Sequence, residues 1–509
     1  MLAQVRTGAV RGVDAFLVEV EVHIAAGIPT FTVVGLAHGA VREGRERVGA
    51  ALKSTGVGLP NRRITVNLAP GDVRKDGTAF DLAIAVGVVA AGGDLPPASL
   101  ERVAFLGELG LDGALRPVSA VLPIAARCLA AGIETLIVPM GNAREAGVVD
   151  GLTVLGAGSL VDVLGHLGGG ASLAGVRVDP GALLERKDEP GPDLADVRGQ
   201  EIAKRVLEIA AAGAHNLLMI GPPGVGKTML ARRLPGILPP LSVEEALDAT
   251  RVHSVAGRLG GGTLLTRRPF RAPHHSVSYA GLVGGGTPVR PGEVSLAHHG
   301  VLFLDELAEY PRNVLEVLRQ PLEEGSVRIS RAGGSVRFPA RFVLVAAMNP
   351  CPCGRAGDGT DRCVCDASRT GRYRGRVSGP LLDRIDLHLE VGPVALDALA
   401  GEPRGASSAE VRARVADARA RQTARSSAGS TGTANGHMGP GALRAHCRVS
   451  APVARLLQRA VERLGLSARA YHRVLKVART IADLDASDAI EAEHVTEAVQ
   501  YRVMDRREL

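Results

Sequence analysis

Residues 221–228 read Gly221-Pro222-Pro223-Gly224-Val225-Gly226-Lys227-Thr228, and this segment decides the fold of the 509-residue chain. It follows an apolar run at 217–220 and precedes a run of helical character, so it lies where a strand turns into a helix. Backbone N–H groups of such a loop can surround a polyphosphate at the positive end of the helix dipole. Lys227 can reach the β- and γ-phosphates, and the Thr228 hydroxyl can ligate Mg²⁺. An ordinary glycine turn does not account for this setting, so we expect an ATP and Mg²⁺ site beside a parallel sheet.

Two further apolar runs supply side chains that such a site requires. Residues 300–304 are apolar, as expected of a strand covered on both faces, and they end in Asp305 and Glu306. Asp305 would organise the Mg²⁺ shell, and Glu306 would orient or deprotonate the attacking water. The apolar run 342–348 ends at Asn349, whose amide would hold that water against the γ-phosphate. An acidic pair after a strand is often a helix N-cap, but the phosphate loop upstream favours catalysis.

Composition limits the class of protein. Hydrophobic residues make up 46% of the chain and charged residues 22%, as in ordinary globular proteins of two to four domains. The net charge of +7 is only weak support for a nucleic-acid partner at this length. The first twenty residues lack an apolar signal-peptide core, and the longest apolar run, 82–93, is too short to span a bilayer. We therefore predict a cytoplasmic protein without a membrane partner, with a buried helix at that run.

Four of the six cysteines, Cys351, Cys353, Cys363 and Cys365, lie in one short basic segment. In a reducing compartment such clustering indicates a metal rather than disulfides. Four thiolates can close a tetrahedral Zn²⁺ site and so fasten a segment with too few apolar residues to fold alone. The spacing is CxC rather than the commoner CxxC, so an iron–sulfur cluster or free thiols remain alternatives.

The N-terminal part of the chain resembles a protease domain. Residues 74–81 (Arg-Lys-Asp-Gly-Thr-Ala-Phe-Asp) and 107–118 (Gly-Glu-Leu-Gly-Leu-Asp-Gly-Ala-Leu-Arg-Pro-Val) look like motifs of the proteolytic domain of Lon-type proteases. That family uses a serine nucleophile and a lysine that takes its proton. By motif position, this chain has Ala79 and Leu122 in their places. The resemblance implies a Lon-protease-like α+β domain at residues 1–168 without proteolytic activity.

The central part resembles AAA+ ATPases. Val197 and Gln200 belong to a Val-x-Gly-Gln stretch that in this family lines the adenine pocket, although the same residues could equally cap a helix. Asn349 stands at the position called sensor 1. Arg384 matches the arginine finger of the branch that contains magnesium chelatases and MCM helicases. Such an arginine stabilises charge on the phosphate bound by a neighbouring subunit, which implies a ring.

Two arginine assignments have alternatives. Arg384 could instead form an internal salt bridge with Asp383 or Asp386. Arg469, at the start of a C-terminal helix, resembles the sensor 2 arginine that reaches the γ-phosphate from the lid. Arg473, one turn later on the same face, is its rival.

Residues 324–339 read as a β-hairpin around an Ala-Gly-Gly turn. Arg328, Arg331 and Arg337 make it basic, and hairpins at this position point into the pore of the related helicases, where cations can engage DNA phosphates. The alternative is a hairpin that is basic for solubility and edge protection. Upstream, we interpret His274 and His275 as part of a polar loop near the pore or a subunit contact rather than as metal ligands.

These motifs divide the chain into a Lon-protease-like domain (1–168), a linker (169–194), an AAA+ P-loop α/β domain (195–394) with the cysteine insertion (351–365), and a helical lid (395–509). Their order resembles the YifB/ComM family of magnesium-chelatase-like AAA+ ATPases. The resemblance implies a hexameric, ATP-driven motor on single-stranded or branched DNA, acting by branch migration or as a helicase in recombination or natural transformation. A magnesium-chelatase ATPase subunit and an AAA+ protein-remodelling factor are the alternatives.

Overall fold

The N-terminal part of the chain forms one mixed sheet. The computed structural model describes residues 1–36, 39–185, 191–331, 334–359, 362–394, 405–425 and 434–502. The N-terminal strands are β1 (Leu2–Arg11), β2 (Asp14–Ala25), β3 (Thr30–Val34), β4 (Arg63–Ala69), β5 (Val103–Phe105), β6 (Glu108–Leu109), β7 (Leu115–Arg116), β8 (Thr135–Pro139) and β9 (Thr153–Ala157). Seven of them follow the order β3-β4-β2-β1-β5-β8-β9, and β6 pairs with β7. Strand β2 is antiparallel to both of its neighbours, and the other pairs in the large sheet are parallel.

The helices of this region cover the sheet. They are Ala40–Ser54, Asp81–Gly92, Val121–Ala130, Met140–Ala146 and Leu160–Leu167, with a short 3₁₀ turn at Pro97–Leu100. The apolar run that predicts a buried helix is the helix Asp81–Gly92, which packs against β1 and β2 and is covered by Ala40–Ser54. Ten of its twelve residues are buried, so the prediction is confirmed. None of the helices in the described ranges is long and apolar enough to cross a membrane.

The central part of the chain forms a second sheet. Its strands, with two small hairpins, are β10 (Leu217–Ile220), β11 (Phe270–Arg271), β12 (Gly284–Gly285), β13 (Arg290–Pro291), β14 (Val301–Leu304), β15 (Ser326–Arg331), β16 (Gly334–Pro339), β17 (Val343–Met348) and β18 (Leu387–Glu390). The five-stranded sheet has the order β11-β14-β17-β10-β18 and is parallel throughout. Every residue of β10, β14 and β17 is buried, because helices cover both faces. The carboxyl ends of these three neighbouring strands therefore meet at one edge.

Helices surround this sheet and form the C-terminal part of the chain. The central α-helices are Glu201–Gly213, Lys227–Ala231, Leu234–Ile237, Val243–Val255, Tyr279–Val283, Glu293–Leu296, Arg312–Glu316, Arg319–Glu324, Ala367–Arg374 and Gly379–Leu382. The C-terminal ones are Ser408–Arg425, Pro440–His446, Ala451–Leu464, Ala468–Leu484 and Ala492–Gln500. Short 3₁₀ turns lie at Leu194–Asp196, Leu307–Glu309 and Asn435–His437. One hydrophobic cluster joins β10 and β17 to the C-terminal helices, so the helical region packs directly on the sheet.

The predicted hairpin is present as the antiparallel pair β15 and β16. Val327, Ile329 and Phe338 face the core, whereas Arg328 and Arg337 lie directly opposite each other on the exposed face. Of the Ala-Gly-Gly turn, residues 332 and 333 lie outside the described residues. Alternation thus places Arg328 and Arg337 on the solvent face of the hairpin, whereas Arg331 follows Ile329 on the other face, at the exposed end of β15.

Several local expectations differ from the structure. The sequence predicts a strand at 106–109, of which only Glu108–Leu109 forms one, as β6, and a helix at 291–299, which is limited to Glu293–Leu296. Within the predicted linker 169–194, a helix forms at Pro180–Glu185, where Leu183 and Leu184 pack against a small apolar cluster. The Ser/Gly-rich stretch 425–441 predicts a loop. Its residues 426–433, residues 186–190 of the linker, and residues 395–404 and 503–509 of the predicted lid lie outside the described residues.

Candidate nucleotide-binding site

The predicted phosphate loop connects β10 to the helix Lys227–Ala231. Gly226 has a φ of +95°, in the left-handed region that favours glycine. A Cβ atom at Gly221 would lie 2.2 Å from the carbonyl oxygen of Val391, so only glycine fits there. The strand-loop-helix arrangement predicted from the sequence is confirmed, with the N-terminus of the helix directed at the space where a phosphate would bind.

Lys227 lies inside this loop. Its Nζ donates to the carbonyl oxygens of Gly221 at 2.6 Å and Pro222 at 2.9 Å, and to Oδ1 of Asn349 at 3.3 Å. The residue is only 8% exposed, and burial lowers the pKa of its ammonium group, while Asp305 and Glu306 oppose that shift. Three acceptors therefore orient the ammonium group at the centre of the loop.

Thr228 and Asp305 form the second part of the site. The Thr228 hydroxyl donates to Oδ2 of Asp305 at 2.7 Å. Asp305 follows the buried strand β14, and Asn349 follows β17, which lies between β14 and β10 in the sheet. The structure thus brings the predicted residues together as two hydrogen-bonded pairs, Lys227 with Asn349 and Thr228 with Asp305. The hydroxyl and carboxylate oxygens of the second pair are of the kind that Mg²⁺ prefers.

Glu306 lies outside these two pairs. Its backbone has a φ of +51°, which is unusual for a non-glycine residue, and its side chain is 54% exposed. Oε2 of Glu306 lies 3.2 Å from Nδ1 of His275, which is in the loop after β11. The ring of His275 also meets the ring of Tyr310 edge-on, with 6.4 Å between the ring centroids. The carboxylate proposed to act on water is therefore directed at a histidine.

The contact with His275 is missing from our sequence interpretation, which placed this histidine in a polar loop near the pore or a subunit contact. One feature of the sequence could have indicated this contact. The loop that contains His275 follows an apolar residue, Phe270, and Phe270 lies beside β14, the strand that precedes Glu306. Strands β11 and β14 are parallel neighbours, so residues after both strands reach the same edge of the sheet. A strand as short as β11 gives too little periodicity to recognise from the sequence.

The residues expected to line an adenine pocket lie beside the phosphate loop. Val197 is 1% exposed and belongs to the core cluster of the central sheet. The Gln200 side-chain amide donates to the carbonyl oxygen of Gly392 at 2.8 Å. Gly392 follows β18, the neighbour of β10, and the same amide lies 3.5 Å from the carbonyl oxygen of Val225, so Gln200 borders the phosphate loop.

Arg384 is almost fully buried in this single chain. Its guanidinium group forms an ion pair with Glu323 and donates to the carbonyl oxygen of Pro380 at 2.6 Å. Its partner is thus Glu323, rather than the Asp383 or Asp386 considered from the sequence. Burial lowers the pKa of Arg384, Glu323 opposes that shift, and nearby arginines, including Arg469, add to it.

The two alternatives for the lid arginine occupy different environments. Arg469 lies at the exposed start of the helix Ala468–Leu484. Arg473 forms an ion pair with the buried carboxylate of Asp386, and Asp386 also accepts from the backbone N–H of Asn216 at 3.0 Å. Arg473 therefore links the helical region to the central sheet, whereas Arg469 forms no ion pair within the part of the chain that the structure describes.

The four predicted cysteines lie close together in the segment that follows Asn349. The Sγ atom of Cys351 lies 3.4 Å from that of Cys353, and the Sγ atom of Cys363 lies 3.7 Å from both. The ligand atoms of all four, including Cys365, lie within 4.8 Å of one another. Sulfur atoms around one tetrahedral Zn²⁺ ion, with Zn–S bonds of about 2.3 Å, would be roughly 3.8 Å apart. The donor set and its spacing therefore fit a single ion.

This cysteine segment also contacts the phosphate loop. Gly354 has a φ of +78°, and a Cβ atom there would lie 3.0 Å from Cδ of Pro223. The backbone after Cys353 thus packs directly against the loop that would hold the phosphates.

A cavity of about 920 Å³ lies elsewhere, near the amino-terminal ends of β14 and β17. Its lining includes Gly300, Phe342 and Arg419, the last from the helix Ser408–Arg425. None of the residues of the phosphate loop contributes to its wall. This cavity is separate from the candidate nucleotide site, which is at the opposite ends of the same strands.

Three family models match this chain. The model described as magnesium chelatase, subunit ChlI, matches residues 193–399; that described as subunit ChlI of Mg-chelatase matches 20–142; and the ChlI C-terminal model matches 405–502. The YifB protein of Escherichia coli is 44% identical over 510 residues, covering 99% of this chain and 98% of YifB. Competence protein ComM of Haemophilus influenzae is 44% identical over 507 residues, with the same shares covered. The magnesium-chelatase 38 kDa subunit of Rhodobacter capsulatus is 29% identical over 184 residues, or 32% of this chain and 52% of that subunit.

Proposed function

Because this chain belongs to the YifB/ComM family of magnesium-chelatase-like AAA+ proteins, we propose that it hydrolyses ATP in a hexameric ring and thereby moves DNA strands. The proposed substrates are single-stranded or branched DNA, and the proposed activity is branch migration or unwinding during recombination or natural transformation. The name of the Haemophilus relative, competence protein ComM, supports a role connected with DNA uptake.

The observation that carries the ATPase proposal is that two adjacent loop residues hydrogen-bond to the predicted partners, Lys227 to Asn349 and Thr228 to Asp305. A bound Mg²⁺ ion would supply positive charge against the phosphates, and Thr228 and Asp305 would hold it. Lys227 would exchange loop carbonyl oxygens for phosphate oxygens. Asn349 would orient water, and Glu306 would take its proton once its carboxylate is released from His275.

The ring proposal depends on Arg384. In the phosphoryl-transfer step, an arginine from a neighbouring subunit can offset the charge that develops on the γ-phosphate. The Arg384 guanidinium is paired with Glu323 within its own chain, so reaching a neighbour requires that ion pair to open.

We further propose that the four cysteines hold one structural Zn²⁺ ion. The observed sulfur separations match a mononuclear tetrahedron, whereas an iron–sulfur cluster would spread the sulfurs around several metal atoms. Such a site would stiffen the segment that packs against Pro223 and follows Asn349. Its role is therefore to support the nucleotide site, not to take part in the reaction.

The DNA proposal is supported by the exposed arginines of the hairpin. Arg328, Arg331 and Arg337 project from β15 and β16, and no carboxylate in the described ranges forms an ion pair with them. A phosphate backbone is the partner that such cations suit.

The decisive experiment measures steady-state ATPase activity of the full-length protein alone, with single-stranded DNA and with a forked duplex, in moderate salt. Stimulation by DNA that is lost in Arg331→Ala supports a motor that contacts DNA through the hairpin. Activity that responds to neither DNA contradicts the proposal and favours a chelatase-like or protein-remodelling role.

A further inference from the structure

The turn between β1 and β2, residues 11–14, lies directly against the basic hairpin. Nη2 of Arg11 donates to the carbonyl oxygen of Ser335 at 3.4 Å. A Cβ atom at Gly12, whose φ is +69°, would lie 2.5 Å from Cγ1 of Val336. Val13 packs against the hydrophobic cluster that contains Phe338. This turn of the N-terminal region is therefore in direct contact with β16.

A second contact attaches the N-terminal region to the central region at a separate place. The Ser254 hydroxyl, in the last turn of the helix Val243–Val255, donates to Oε1 of Glu145 at 2.5 Å. The Ser254 carbonyl oxygen accepts from the N–H of Ala120 at 3.1 Å. Glu145 is only 6% exposed; burial raises its pKa, and its hydrogen-bond donors, Ser254 first among them, oppose the shift. Two contacts at different points restrict rotation more than either contact alone, so the turn is fixed relative to the hairpin.

This arrangement places a fourth cation beside the hairpin. A Cβ atom at Gly334 would lie 2.2 Å from Nη2 of Arg11, so the Arg11 guanidinium covers the start of β16. Arg331 lies directly opposite Gly334, so it leaves the hairpin on the same face as Arg11, whereas Arg328 and Arg337 leave on the other face. Within the described ranges, neither Arg11 nor the hairpin arginines form an ion pair with a carboxylate. A polyanion lying along this face would supply the negative charge that both cations lack.

We propose that Arg11 belongs to the same phosphate-binding surface as Arg331, so that the N-terminal and central regions hold one DNA strand together. This inference rests on the proposed DNA function and adds a residue from outside the ATPase region. The partner is the sugar–phosphate backbone of single-stranded DNA, because flexible guanidinium groups on an exposed face can contact phosphates without reading bases. It gives the N-terminal region, which has Ala79 and Leu122 in place of a Ser-Lys dyad, a role in substrate binding.

The test is the salt dependence of DNA binding by the full-length protein. A fluorescent oligothymidine is titrated at several salt concentrations, and log K is plotted against log salt. For a single strand, each phosphate contact contributes about 0.7 to the slope. We expect Arg11→Ala to reduce the magnitude of the slope by about 0.7, as Arg331→Ala should, and Arg11→Lys to restore it, since lysine keeps the charge. The thermal unfolding midpoint of each variant checks that it is folded.

Arg42→Ala is the matched control. Arg42 is another exposed arginine of the N-terminal region, on the helix Ala40–Ser54, and should leave the slope unchanged. If Arg331→Ala reduces the slope but Arg11→Ala does not, the inference about Arg11 is wrong and the DNA function stands. If the unchanged protein does not bind DNA, or no hairpin arginine affects the slope, the proposed function itself fails.

Discussion

Nδ1 of His275 lies 3.2 Å from Oε2 of Glu306, so the carboxylate proposed to activate water is held by a residue of the neighbouring strand's loop. The Asp305 carboxylate accepts from the Thr228 hydroxyl at 2.7 Å and from the backbone N–H of Glu306 at 3.0 Å, so neither hydrogen bond involves the Glu306 carboxylate. Because β11 lies at the edge of the sheet next to β14, movement of the loop after β11 would change the position of Glu306. A ligand that binds this loop would therefore move Glu306 and so change the rate of the proposed ATP hydrolysis.

Replacing His275 by alanine should release Glu306. We expect His275→Ala to raise ATPase activity in the absence of DNA and to reduce the ratio of DNA-stimulated to basal activity. His274→Ala is the control, since the His274 ring lies 2.8 Å from the Ser276 hydroxyl and has no contact with Glu306 in the structure. A stimulation ratio that is the same in the two variants and the unchanged protein would show that His275 does not restrain the carboxylate.

Substitutions within the nucleotide site should separate binding from turnover. Lys227→Ala removes the ammonium group at the centre of the loop and should abolish ATP binding. Glu306→Gln keeps the size of the side chain but removes the base, so it should bind ATP and reduce turnover by about 100-fold or more. Equilibrium binding of a fluorescent ATP analogue and steady-state turnover measure the two effects. Normal turnover by Glu306→Gln would exclude this carboxylate as the base.

The centre of the site could be predicted from the sequence because it depends on short-range patterns. The apolar strands β10, β14 and β17 each end in a polar residue or a glycine-rich loop, and the carboxyl ends of adjacent parallel strands meet. The partners of charged side chains were not predictable in this way. Arg384 pairs with Glu323, and Arg11 reaches Ser335 across 324 positions, because three-dimensional packing rather than local periodicity brings them together.

Mixed subunits test whether Arg384 acts on a neighbour. Arg384→Ala subunits keep their phosphate loops but lack the finger, whereas Lys227→Ala subunits keep the finger but cannot bind ATP. If the site is shared, mixing two inactive proteins should restore part of the ATPase activity, because some interfaces then combine an intact loop with an intact arginine. The measurement is activity against mixing ratio. Absence of recovery at every ratio would argue that Arg384 acts only within its own chain, through Glu323.

Removal of the proposed metal should weaken nucleotide binding. The purified protein should contain about one Zn²⁺ per chain, and Cys353→Ser should lose it. Since Gly354 packs against Pro223, loosening this segment should raise the KM for ATP more than it lowers kcat. Val364→Ser, between Cys363 and Cys365 and 77% exposed, is the control that should keep both metal and KM. Iron in place of zinc, or an unaltered KM after metal loss, would contradict this role.

Asp386 joins the central sheet to the C-terminal helices, and its charge should be required for stability. Burial alone would raise its pKa, but Arg473 and His215 outweigh burial and hold the pKa below the usual range of an aspartate. Asp386→Asn replaces the buried carboxylate by a neutral amide, so Arg473 loses its ion-pair partner. Breaking such a pair lowers the free energy of unfolding by roughly 3–5 kcal/mol. Urea unfolding followed by circular dichroism measures the loss, since the chain has no tryptophan. Asp383→Asn, which removes a carboxylate three residues earlier that is not buried, should change stability little.

The difference in unfolding free energy between the unchanged protein and Asp386→Asn should depend on pH, and the lowered pKa of Asp386 gives the direction of that dependence. A carboxyl group whose pKa is lower in the folded state contributes stability above its unfolded pKa of about 3.9, and this contribution is lost as the pH falls below that value. The gap in unfolding free energy between the unchanged protein and Asp386→Asn should therefore be full at neutral pH and narrow below about pH 4. A gap that stays constant as the pH falls would mean that Asp386 stabilises the junction by packing, and that its ion pair with Arg473 contributes little.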